Sequence, residues 1–253
     1  MKVTFLGTGT SQGIPVIGST HPVCLSNNSK DKRLRVSVLI ESRGYTYVID
    51  CGPDFRQQML NANCERIDGI LFTHEHADHT AGLDDIRPFF YRQGNIPIYA
   101  HKRVLKALKR RFDYILIDEN KYPGAPSVKQ VRIKNKPFVL DDLQVVPVKG
   151  IHDKLQVFGF RFKNFAYLTD MKTVSSEEIK KIKNIKVLVI NALREKPHQS
   201  HFNLGEALEF IKEVNPEKAY LTHISHLLGF HEEVQQKLPK NVFLAYDNLK
   251  ITI

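Results

Sequence analysis

The sequence predicts an α+β domain of the αββα type, two mixed β-sheets packed face to face with helices on the outer faces. Three observations lead there. Short apolar segments of strand length, bounded by Gly, Ser, Asn or Asp, recur through residues 3–72 and again through 96–168. After Asp170 the period changes, and helical segments alternate with buried strands. At 253 residues, with 42% hydrophobic and 25% charged side chains, the chain is long enough and ordinary enough in composition to bury one core. Periodicity leaves other layered α/β folds open. No repeat, linker or low-complexity segment divides residues 1–253, so a single domain is expected.

Taken in order, residues 3–6, 34–40, 45–49 and 69–72 read as strands, with short helices at 55–60 and 83–91. Strands at 96–99, 128–133, 143–148, 157–162 and 165–168 make the middle strand-rich. Ser175 and Ser176 can cap a helix that carries Glu178 in its first turn. Residues 186–190 then form a buried strand, 204–214 a helix, and 219–221 and 242–245 the last strands. Residues 9–33 are rich in Gly, Pro, Ser and Asn and show no period. A loop that long is functional or clamped, so something must hold it.

Composition narrows the function. No apolar run approaches the roughly 18 residues that span a bilayer, and the opening MKVTFLGTGT enters a strand pattern rather than a charged-then-apolar leader. A cytoplasmic protein without membrane attachment is expected. Cys24, Cys51 and Cys64 are sparse and odd in number, which favours reduced thiols over a disulfide framework. The balance of 37 basic against 27 acidic side chains, a net charge of +10, favours anionic partners. Much of the excess lies in short runs such as Lys109-Arg110-Arg111 that read as helix surfaces, so dedicated nucleic-acid binding is not expected. A homodimer is compatible with the sequence, which does not fix the oligomeric state.

The chemical signal is Thr73-His74-Glu75-His76-Ala77-Asp78-His79, directly after the strand at 69–72. Three imidazoles and two carboxylates on one strand-end loop are hard to explain by packing. Histidine is a common ligand for borderline metals and Asp a hard oxygen ligand. His-x-His-x-Asp-His therefore supplies two nitrogens to one ion and an oxygen–nitrogen pair to a second.

This motif resembles the signature of the metallo-β-lactamase superfamily, which implies that fold and three later ligands. His152, Asp170 and His223 each end or follow a predicted strand and resemble, respectively, the third histidine of the first ion, the bridging carboxylate and the last histidine of the second ion. The opening VTFLGTGTSQGIPV, Asp31-Lys32-Arg33-Leu34-Arg35 and His198-Gln199-Ser200-His201 resemble the PhnP-type phosphodiesterases, which are related to tRNA 3′-processing endonucleases. The resemblance runs almost end to end. It implies a metal-dependent hydrolase of small, cyclic phosphodiesters, with two divalent ions (zinc, manganese or iron) and a hydroxide between them. It assigns His201 as general acid, with His198 as competitor, beside Asp78 and Asp170 in the catalytic set. Asp50 resembles an aspartate that supports the ligand loop, although a simple turn role fits equally. Arg33 and Arg35 are candidate substrate contacts.

The PhnP type also carries a remote structural zinc site of three cysteines and a histidine. Here the matching positions are Ser19, His21, Cys24 and His226. Serine is a poor zinc ligand beside cysteine, so His21, Cys24 and His226 either hold a weakened zinc site or simply pack the long loop against the C-terminal region. Rival functions are a tRNA 3′-processing ribonuclease, for which the expected long arm is not found, a thioester or lactone hydrolase, and a non-catalytic PqqB-like metabolite-binding protein.

Overall fold

The computed structural model describes residues 1–141 and 143–253. The first sheet contains β1 (Lys2–Gly7), β2 (Ser37–Ser42), β3 (Tyr45–Ile49), β4 (Gly69–Leu71), β5 (Ile96–His101) and β6 (Val128–Ile133). The second contains β7 (Phe138–Leu140), β8 (Leu143–His152), β9 (Leu155–Phe162), β10 (Phe165–Tyr167), β11 (Thr173–Val174), β12 (Val187–Asn191), β13 (Lys218–Thr222) and β14 (Val242–Leu244). The closing strand β15 (Lys250–Thr252) returns to the first sheet and pairs antiparallel with β1. The orders are β15-β1-β2-β3-β4-β5-β6 and β11-β8-β9-β10-β12-β13-β14, with β7 beside β8.

Alternation along the strands builds three apolar layers. Val38 and Ile40 of β2, Tyr47 and Ile49 of β3, and Phe158, Phe160 and Phe162 of β9 point between the sheets. Leu39 and Val48 point outward, into a layer covered by α1 (Phe55–Ala62) and α2 (Arg87–Gln93) and reached by Val104 and Leu108 of α3 (Lys102–Arg111). On the other side Leu188 and Ile190 of β12 meet Ala207, Phe210 and Ile211 from the helix Leu204–Val214. Burying each large apolar side chain contributes about 1.5–3 kcal/mol, so both faces of both sheets are covered as an αββα sandwich.

Several sequence expectations shift for physical reasons. The strand expected at 34–40 begins only at Ser37, because Arg33 and Arg35 form isolated bridges to Ile14 and Gly9 instead. Residues 83–91 divide into a 3-10 turn, Leu83–Ile86, and α2, whose first turn accommodates Pro88. Ser175 precedes the helix Ser176–Lys180, but its side chain makes no capping bond. The real capping box belongs to the next helix, where Asn203 and Glu206 bond each other's backbone N–H. Among the described residues, no helix is long and apolar enough to cross a membrane.

The topology gathers strand ends. β3, β4 and β5 run parallel in the first sheet, as do β10, β12 and β13 in the second. Segments leaving the carboxyl ends of parallel strands emerge along one edge, where ligands bind in open α/β sheets. Asp50 follows β3, the His74–His79 loop follows β4, Asp170 lies beyond β10, and His223 follows β13.

Candidate metal centre

The backbone turns sharply at three of these strand ends. Asp50, Asp170 and His223 have φ of 64°, 55° and 55°, a left-handed conformation that costs a non-glycine residue about 1–3 kcal/mol and persists where the surroundings enforce it. Gly52 and the ligand loop touch so closely that a Cβ on Gly52 would lie 2.1 Å from the Asp78 carbonyl oxygen. The loop is held further by Cys51, whose N–H donates to the His79 carbonyl at 2.8 Å. Glu75, inside the motif, takes two bonds from the Arg103 guanidinium, at 2.7 and 3.0 Å.

The ligating atoms converge. His74, His76 and His152 form one group with ligand atoms within 4.8 Å of one another, and Asp78, His79, Asp170 and His223 form a second. A third, His152, Asp170 and His201, joins the two. All seven expected ligands and His201 are therefore brought together.

Hydrogen bonds at the far ring nitrogens fix three tautomers. The Thr73 hydroxyl donates to Asp50 Oδ2 at 2.8 Å, so at 2.9 Å His74 Nδ1 must be the donor to that hydroxyl. His79 Nδ1 donates to Asp50 Oδ2 at 2.7 Å, and His152 Nδ1 donates to the Ser200 carbonyl at 2.8 Å. In its neutral form each ring thus presents an unprotonated Nε2 to the cleft, the arrangement by which outer partners orient metal-binding histidines. Asp50 is the support that the resemblance implies, since it receives Thr73 N–H as well.

The electrostatics fit a cation pair. The Nε2 atoms of His74, His79 and His223 are buried without a hydrogen-bond partner, although His79 and His223 lie 3.2 and 3.1 Å from Asp170 oxygens. Buried polar atoms are rarely left so, and a soft-to-borderline cation satisfies them. Burial opposes ionisation of Asp170, but His223 and His79 hold its carboxyl well below the usual range. Burial likewise opposes protonation of His223, and Asp170 lifts it to about 9. For His74, burial and the neighbouring His79 push the imidazole well down, so it stays a neutral donor. His201 is pushed down to about 2 by burial and by His223, whose ring stacks on it at 4.7 Å.

Other expected residues fall elsewhere. Arg33 is not a substrate contact: it is 4% exposed, donates to Thr8 Oγ1 at 2.7 Å and the Ala245 carbonyl at 2.6 Å, and lies 3.1 Å from His231 Nδ1. It clamps the long loop to the C-terminal region. Arg35 is paired with Asp54 at 2.9 Å. At the remote site, His21 and His226 meet edge to face at 4.9 Å, while Cys24 packs with Ile14 and Val23. His21 Nδ1 accepts from Val23 N–H and Cys24 Sγ from Val16 N–H, and the three do not form a group with ligand atoms within 4.8 Å among the described residues. His226 Nδ1 is buried there without a hydrogen-bond partner. Sequence reasoning missed Ser200, which acts through its backbone, and the Arg103–Glu75 brace, whose partners lie 28 positions apart.

Comparison with known proteins agrees with this geometry. The family model "Beta-lactamase superfamily domain" matches residues 45–224. An octanoyltransferase from Porphyromonas gingivalis is 39% identical over 256 residues, covering 100% of this chain and 52% of that protein. A ribonuclease Z from Bacillus mycoides is 27% identical over 64% of this chain and 48% of its own length. The chain thus spans about half the length of the curated relatives it matches. Among solved structures, a diphosphatase from the PhnP family superposes with a TM-score of 0.93 at 36% identity, covering 100% of this chain and 97% of the other.

Proposed function

Because the chain belongs to the beta-lactamase superfamily, we propose that it is a metal-dependent phosphodiesterase acting on small, anionic phosphodiesters, cyclic ones included. The observation that carries this reading is the continuous donor set in which His152 and Asp170 link the two ion-sized groups. His74, His76 and His152 would hold one divalent cation, and Asp78, His79, Asp170 and His223 the other. When bound, such cations supply Lewis acidity toward phosphoryl oxygens and lower the pKa of a coordinated water from 15.7 toward about 7. Zinc, manganese and iron all suit this nitrogen-and-oxygen set.

The chain's own residues supply the rest. Both Asp170 oxygens face the second group, Oδ2 3.2 Å from His79 and Oδ1 3.1 Å from His223, and the grouping with His152 and His201 links this carboxylate to the first. Asp50 and Ser200 keep the ligating rings oriented through the binding event. His201, 3.7 Å from Asp170, would touch a phosphoryl oxygen of a bound substrate. Burial and His223 lower its proton affinity, so it would act there as a neutral ring rather than as the general acid that the resemblance implies. The net charge of +10 draws anions toward the protein. The same reading places the chain in the cytoplasm, in keeping with its three unpaired cysteines.

The test is Asp170→Ala assayed on bis-p-nitrophenyl phosphate with added zinc or manganese. Loss of at least 1,000-fold in rate is expected, roughly that of removing a principal charge-stabilising group, and wild-type activity in the variant would sink the proposal. A second reading, hydrolysis of acyl thioesters, is favoured by one observation, the name of the octanoyltransferase relative. That name covers a protein about twice as long, so the phosphodiesterase ranks first. Octanoyl thioester turnover exceeding phosphodiester turnover would reverse the order.

A further inference from the structure

Ser200 is bonded to two histidines at once, with opposite effect. Its carbonyl accepts the Nδ1 proton of His152 at 2.8 Å, while its N–H donates to Nδ1 of His198 at 3.3 Å, and its hydroxyl lies 3.2 Å from the same nitrogen. A backbone N–H can only donate, so Nδ1 of His198 carries no proton. The His198 proton therefore sits on Nε2. One residue thus sets one ring to present a lone pair and the other an N–H.

His198 lines a cavity of about 510 Å³ whose wall also includes His76 and His152 from the first ion group, and the hairpin residues Lys154 and Leu155. A substrate whose phosphorus lies at the donor cleft must place its remaining atoms in space that opens from that cleft, and this cavity does. The His198 ring is 5.1 Å from His201 and, among the described residues, outside the groups of ligand atoms that could hold a cation.

We propose that His198 is a further catalytic residue, a neutral imidazole whose Nε2–H hydrogen-bonds the leaving oxygen as the P–O bond breaks. The contribution is a hydrogen bond and not a proton transfer: a neutral ring giving up its Nε2 proton would become imidazolate, which is inaccessible near neutral pH. Charge grows on the leaving oxygen as the bond to phosphorus lengthens, so a fixed donor aimed at it strengthens in the transition state. A neutral histidine held in one tautomer by a backbone group is a known way to stabilise such charge. The oxygen takes its proton from solvent afterwards. This inference rests on the phosphodiesterase reading, and Ser200 is the positioning residue behind it.

Two measurements test it. In metal-free protein labelled with ¹⁵N, long-range ¹H–¹⁵N correlation should show His198 with an unprotonated Nδ1 and a protonated Nε2; the reverse tautomer would overturn the proposal whether or not any substrate turns over. In the metal-loaded enzyme, aryl phosphodiesters with leaving groups from p-nitrophenol to phenol are compared in wild type, His198→Ala and His198→Gln. His198→Ala should lose about 100-fold on the phenyl ester and a smaller factor on the p-nitrophenyl ester. The factor should be the same from pH 7 to 9, with part of the loss restored in His198→Gln, whose amide N–H can donate. Equal losses along the series, or a loss that tracks pH as a proton donor's would, overturns the assignment. Wild-type protein inert toward the whole series would instead defeat the phosphodiesterase reading, with the tautomer still reporting on Ser200.

Discussion

Asp50 accepts the Nδ1 proton of His79 at 2.7 Å, and neither side chain has any solvent exposure. The carboxylate also receives the N–H and the hydroxyl of Thr73, which in turn orients His74. One aspartate outside the metal-binding set therefore aims one histidine toward each ion.

Asp50→Ala should weaken binding at both ions. Removing such an outer partner costs 10–100-fold in metal affinity, and here two rings lose their orientation together. Competition titration with a chromogenic chelator checks this; unchanged affinity at both ions would leave Asp50 with only a turn role.

Gly52→Ala should be nearly as damaging, by sterics alone. The added methyl would stand 2.1 Å from the Asp78 carbonyl oxygen, so the ligand loop must move. A variant with a wild-type melting curve and full metal content would show that the loop yields without cost.

Much of this was legible in the sequence. The helix at 204–214 and the strands at 45–49 and 128–133 stand where the sequence puts them, the helix because Ala207, Phe210, Ile211 and Val214 recur at helical spacing on its buried face, the strands because short apolar-rich runs end at turn residues. The strand Lys250–Thr252 was missed: three residues with charge at one end carry too little pattern, and only its pairing with β1 creates it. The His74–His79 cluster was legible because metal chemistry demands such side chains at such spacing, whereas His152, Asp170 and His223 were legible only through the resemblance to the superfamily. Ser200 was not, since any residue has the N–H and carbonyl it uses. Arg33 misled because arginine is usually exposed, whereas this one exchanges solvent for Thr8, Ala245 and His231.

That Arg33 clamp predicts a pH dependence. Burial, and then Arg33, depress His231 to about 4. Its neutral form stabilises the fold fully above the unfolded histidine's value near 6.5, and that contribution is lost as pH falls toward 4. Asp247, raised by burial to about 6, works in the opposite sense, favouring the fold as pH drops through 6. The two partly offset in wild type. In His231→Asn only the Asp247 contribution remains, so the stability difference between wild type and variant should shrink by roughly 1–2 kcal/mol, after allowance for solvent screening, between pH 7 and 4.5. Parallel urea titrations at the two pH values measure it, and a constant difference would exclude His231 as the titrating group.

Removing the ions should loosen the cleft more than the sandwich. Binding stabilises by about 2.7 kcal/mol when free metal is 100 times the dissociation constant. A chelator should therefore lower the melting temperature by several degrees, and zinc or manganese should restore it. Hydrogen exchange should rise first in residues 74–80. Identical melting with and without chelator would contradict binding at this cleft.

Strand ends far apart in the chain converge on one cleft whose donor groups would hold two cations. Metal-free wild-type protein and the Asp170→Ala variant, titrated with zinc by isothermal calorimetry and checked by elemental analysis, test it most directly. Two tightly held ions per chain in wild type, with at least one lost in Asp170→Ala, is the predicted result. Stoichiometry and affinity unaltered by the substitution would contradict it.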